Sequence, residues 1–130
     1  VRSKMPPDIK LYSDPELMTP HSGYLDILDA GSEKQHSIFI HNEGTGELLD
    51  MKIEVIPQKP LEILSDGTEV WPRLPDGTEI LPLHATVLNA PPSILKPGET
   101  WEAQISWRLN PDEKFGLRRG QLKVTGRHVR

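Results

Sequence analysis

Two copies of one motif hold the densest set of reactive side chains in the chain. Asp66-Gly-Thr-Glu-Val-Trp-Pro72 recurs ten positions later as Asp76-Gly-Thr-Glu-Ile-Leu-Pro82. Asp66, Glu69, Asp76 and Glu79 supply carboxylates, the ligand type that calcium takes in sets of about six to eight oxygens. A hydrolase with paired carboxylates is the second chemistry such residues suggest. The triplet Asp-Gly-Thr also invites comparison with aspartic proteases. Three observations weigh against these readings. The chain has no Asp-x-Asp-x-Asp loop. Asp-Gly is a strong turn signal in its own right, and a general acid needs a desolvated cleft rather than an exposed turn. Ser65 and Pro75, not an apolar strand, precede the aspartates. The acidic residues Asp26, Asp29, Glu43 and Glu47 fall in other expected turns. The expectation is no catalytic residue, no metal ligand and no cofactor.

The histidines are His21, His36, His41, His84 and His128, and none forms His-x-His or His-Glu-x-x-His. Alternation along residues 35–41 sends His36 and His41 to opposite faces of one strand, so they do not share an ion. Trp71-Pro-Arg-Leu74 lies between the two Asp-Gly turns. Tryptophan and arginine are enriched at binding hot spots, so Trp71, Arg73 and Leu74 are the candidate partner-binding residues. The bland alternative folds Trp71 back over the core. Arg118, Arg119, Lys123, Arg127 and Arg130 make the far end basic. Without interleaved aromatics or a known motif this reads as a solvated strand face and not as a nucleic-acid site.

A length of 130 residues suffices for one domain with a modest core. Thirteen prolines and ten glycines argue for many turns. The net charge of −4 gives no global attraction to nucleic acid or anionic membrane. With no cysteine, neither disulfides nor thiolate metal sites exist. No apolar run approaches the roughly 18 residues of a membrane span, and no signal peptide is visible. The chain opens on Val1, as a processed product or a piece of a longer polypeptide would.

The elements that hold the candidate residues are strands. In residues 96–109 a Lys-Pro-Gly-Glu turn launches a long alternating run. Trp101, Ala103, Ile105, Trp107 and Leu109 share the dry side, and Glu102, Gln104, Ser106 and Arg108 the wet one. Residues 35–41 predict a strand with Ile38 and Ile40 inward. Residues 49–56 predict another with Leu49, Met51, Ile53 and Val55 inward, stopped by Pro57 and Pro60. Further strands are expected at 23–28, 83–88 and 121–125. The inward residues are Leu83, Ala85 and Val87 in the second of these, and Leu122 and Val124 in the third. Residues 1–22 hold four prolines and read as an arm that lies on the sheet edge or pairs with another subunit. Residues 23–130 form the domain, with residues 65–82 as an excursion of two reverse turns, one of them a type I turn at 74–77. No capped amphipathic helix is present. The fold class is all-β, an Ig-like β-sandwich of about seven antiparallel strands.

The pattern resembles cysteine-free Ig-like accessory domains, of the kind appended to glycosidases and surface proteins or decorating phage particles. The residues that carry the resemblance are Ile38-Phe-Ile-His-Asn-Glu-Gly44, the strand around 51–55, Leu95-Lys-Pro-Gly-Glu99 and Gly120-Gln-Leu-Lys-Val124. The excursion and the proline-rich arm have no counterpart in that pattern. The resemblance implies a non-catalytic module for protein–protein attachment in a larger assembly, with a virion or cell-surface setting favoured. Its partners are then a second copy or a capsid or surface scaffold. The alternative is a carbohydrate-binding module that stacks a sugar on Trp71.

Overall fold

The computed structural model describes residues 8–28, 33–109 and 115–129. Every element among them is a strand. In chain order these are β1 (Ile9–Tyr12), β2 (Tyr24–Ile27), β3 (Glu33–Asn42), β4 (Glu47–Pro57), β5 (Glu62–Ile63), β6 (Glu69–Val70), β7 (Ile80–Pro82), β8 (Ala85–Val87), β9 (Ile94–Leu95), β10 (Thr100–Arg108) and β11 (Leu117–Val129). One sheet runs β1-β3-β10-β8. A second runs β2-β11-β4-β9, with β7 also on β11. β5 and β6 form a ribbon of their own. No helix among the described residues is long and apolar enough to cross a membrane.

The long strand expected from alternation is β10, at the middle of the first sheet. Its register against β3 sets Trp101 opposite Ile40 and Ala103 opposite Ile38, so the two dry sides coincide. Ile38, Ile40, Ala103 and Ile105 are fully buried. Leu48, Met51, Leu122 and Val124 of the second sheet join them in one apolar cluster, against which Ile53, Val55, Val87 and Trp101 pack. Burying aliphatic surface of this extent is the main force that holds the two sheets together.

Three expectations are corrected. The strands exceed seven, and one pair is parallel, β7 with β11. The first Asp-Gly turn folds its flanks into the β5–β6 ribbon, while β7, which follows the second, pairs with β11. In β4 the inward residue is Leu48, not Leu49. A β-bulge sets Asp50 and Met51 against the single residue Gly126, since Leu49 pairs with Arg127 and Lys52 with Thr125. Asp50 adopts φ 54° at the bulge. The extra residue reverses the inside and outside faces on its two sides.

Residues 9–12 of the expected arm pair with the protein's own β3. Ile9 and Leu11 lie in the core. Residues 1–7 of that arm lie outside the described residues, as do Asp29 and Arg130.

Candidate functional site

The ten-residue sequence repeat is a repeat in three dimensions. In the first copy Leu64 N–H donates to the Thr68 carbonyl (2.8 Å), and Gly67 N–H donates to the Leu64 carbonyl (2.9 Å). In the second, Leu74 N–H donates to Thr78 (2.8 Å) and Gly77 N–H to Leu74 (2.9 Å). The aspartates complete the match: Asp66 Oδ1 accepts from Thr68 N–H and Asp76 Oδ1 from Thr78 N–H, each at 2.9 Å. Both glycines hold a left-handed φ, 89° at Gly67 and 92° at Gly77, which a side chain at that position would disfavour. The result is two tandem hairpins. The first continues into the β5–β6 ribbon. The second closes through an Arg73–Glu79 bridge.

These hydrogen bonds define what the acidic residues do. Asp66 and Asp76 hold their own turns, and the Thr68 and Thr78 backbone N–H groups lower their pKa values below the ordinary carboxylate value. Among the described residues no three His, Asp or Glu side chains are placed to hold a metal ion.

The hairpins differ in their outer faces. In the first, Leu61 is 69% exposed and Ile63 is 64% exposed, with Leu64 beside them also exposed. In the second, Ile80 and Leu81 are buried where β7 meets β11. Trp71 and Leu74 are partly buried. Arg73 is exposed but engaged: one guanidinium nitrogen donates to the Gly77 carbonyl at 2.8 Å and another meets Glu79 Oε2 at 3.4 Å. The structure therefore brings Trp71, Arg73 and Leu74 to the junction between the hairpins, while the most exposed aliphatic surface of this region precedes them. Leu61 and Ile63 are absent from the candidates read from sequence. Their signal was there to be used: an apolar stretch directly before an Asp-Gly turn is the first arm of a hairpin.

The remaining candidates are held by their neighbours. Arg119 forks onto Asp26 at 2.8 and 2.9 Å and lies 5.2 Å above the Tyr24 ring. Lys123 meets Glu54 at 3.8 Å and Arg127 meets Asp50 at 3.2 Å. Much of the basic end is thus neutralised across strands. His41 faces outward to Thr100, Nδ1 to Oγ1 at 2.8 Å, near Tyr12, whose hydroxyl donates to Glu43. His36 lies on the opposite face, with its ring 5.5 Å from that of His21.

Comparison of the chain with protein-family models, with curated proteins and with solved structures returns no match.

Proposed function

We propose that the chain is a non-catalytic Ig-like β-sandwich module that attaches proteins to one another in a larger assembly, such as a virion or a cell-surface structure. The tandem hairpins form its contact surface. Strand order supports the fold part of this reading. The sequence β1-β3-β10-β8 follows the A-B-E-D order of an Ig sheet, and β4-β11 follows C-F. β2 then stands where the closing strand would be, antiparallel to β11.

The observation that carries the functional reading is the exposure of Leu61 and Ile63 on one side of a two-stranded ribbon, with Leu64 exposed beside them. A cluster of apolar side chains in water on a ribbon outside the two main sheets marks a contact site. The proposed occupant is a second copy of this chain. β5 offers an edge with no strand partner on its outer side among the described residues, and an extended edge with alternating side chains is suited to strand addition. An antiparallel pairing centred on Ile63 would set the two copies of that side chain against each other across the new ladder. Trp71, Arg73 and Leu74 border this surface and extend it.

The carbohydrate reading needs Trp71 as an open platform, and its partial burial weighs against that. A glycan array read beside a size measurement separates the two. Self-association without sugar binding supports attachment. Sugar binding by a monomer would replace it.

A further inference from the structure

The connection from β1 to β2 ends on an imidazole. His21 N–H donates to the Leu11 carbonyl at 2.9 Å, which fixes the backbone at this point. Two residues on, Gly23 N–H donates to His21 Nδ1 at 2.8 Å. The Gly23 carbonyl in turn accepts from Leu122 N–H at 2.7 Å. Gly23 thus joins the His21 ring to β11, and β2 begins at the next residue. The accepting Nδ1 must be unprotonated, so the neutral ring carries its proton on Nε2.

The surroundings favour that neutral state. His36 projects from the core face of β3, in register with the buried Ile105, and its ring centroid is 5.5 Å from that of His21. Both rings and Trp107 line one cleft of about 290 Å³ beside β2. The carboxylate on that cleft among the described residues is Asp26 of β2, and it is already engaged by the Arg119 fork of β11. Tyr24 and Trp107 are the other polar side chains there, and Lys10 and Tyr12 of β1 share a second cleft with His21. Desolvation lowers the pKa of both imidazoles below the ordinary value, and the proximity of His36 lowers His21 further.

We propose that His21 is an acid-released latch on β2: protonation withdraws the acceptor from Gly23, repels His36, and frees β2 from the edge of β11. A protonated imidazole donates at both nitrogens, so Nδ1 cannot keep the Gly23 bond. Release uncovers the β11 edge at residues 118–122, an edge open to pairing with another strand. The sign follows from linkage. A histidine whose folded pKa lies below its unfolded value contributes closure at neutral pH. That contribution declines as pH falls below about 6.5 and through the lower folded value.

The test is amide hydrogen exchange by NMR on the full chain from about pH 7.5 to about pH 4.5, a window that brackets the ordinary imidazole value. Rates are expressed as protection relative to intrinsic exchange. Protection at Leu122 and across 24–27 should fall about fivefold or more, the change that one lost hydrogen bond carries, while Ile38 and Ile105 stay protected. His21→Asn keeps a side-chain acceptor that does not titrate, and should hold protection level. Asp26→Asn should leave the transition in place, which separates the imidazoles from the carboxylate. His36→Gln should move the midpoint upward, and it carries the test if His21→Asn does not fold. Level protection in the wild type, or an unchanged transition in His21→Asn, would overturn the proposal.

Discussion

The backbone N–H groups of Gln58 and Leu83 converge on one acceptor, the carbonyl of Arg119, each at 3.0 Å. β4 ends just before the first donor and β7 just before the second. On this edge of β11 one strand replaces the other: Gly120 faces Pro57 of β4, and Arg119 faces Pro82 of β7. The tandem hairpins therefore leave and rejoin the sheet at one point. A loop closed at its base by the scaffold can vary without disturbing the core, and such loops commonly carry binding groups.

That junction depends on close approach at Gly120. A Cβ there would lie 2.5 Å from Val55 Cγ1 and 3.3 Å from the Leu83 carbonyl oxygen. Gly120→Ala is expected to lower stability by about 1–3 kcal/mol, as overpacking does. Urea unfolding monitored by tryptophan fluorescence measures it, and an unchanged midpoint would show that β4 and β7 are not tightly joined here.

Asn42 ties the two most motif-like stretches of the sequence to each other. Fully buried, it donates from Nδ2 to the carbonyls of Gly46 and Leu95, each at 2.9 Å, and accepts from Gly44 N–H at Oδ1. Its backbone bonds to Glu99 and Gly98 as well. The Asn-x-Gly and Leu-x-Pro-Gly-Glu turns are thus two halves of one hydrogen-bonded corner. Asn42→Ala would orphan the half-buried Gly44 N–H and two acceptors, at a cost of about 2–3 kcal/mol. Calorimetry on that variant should show a clear loss of thermal stability. A near-native transition would mean the corner holds without the side chain.

The bulge at Asp50 makes a different kind of prediction. A left-handed φ costs a side chain about 1–2 kcal/mol, less for aspartate than for most residues. Asp50→Gly should be neutral or mildly stabilising despite losing the exposed Arg127 contact. Asp50→Val should destabilise by about 1 kcal/mol or more. Equal stability of the two variants would show that the backbone there is not under this constraint.

Trp107, 6% exposed on the core face of β10, should cost about 3–5 kcal/mol on replacement by alanine. Loss of one denaturation midpoint relative to Trp101→Ala, whose side chain is less deeply placed, checks the register of the central strand. A smaller effect at Trp107 than at Trp101 would contradict it.

Period-two alternation made the core legible. Ile38, Ile40, Ala103, Ile105, Leu122 and Val124 were all assigned inward by it, and all are buried. Leu48 was not, because a bulge adds one residue that no composition rule marks except a left-handed-tolerant Asp50. The hairpins were visible as Asp-Gly turns, yet their strands were not, since two-residue strands carry no periodicity. The His21–His36 pair was hidden for another reason: it joins side chains across two elements, and only the tertiary fold supplies that distance.

The proposed role of the first hairpin is to join copies of the chain, separably from folding. Sedimentation velocity over a concentration series, on the wild type and on a Leu61→Glu, Ile63→Glu variant, tests both parts when each sample is also unfolded in urea. The expected result is concentration-dependent association of the wild type and a variant that stays monomeric and loses about 1 kcal/mol or less, as exposed sites do. A wild type that is monomeric throughout, a variant that associates equally well, or a variant that loses several kcal/mol would contradict it.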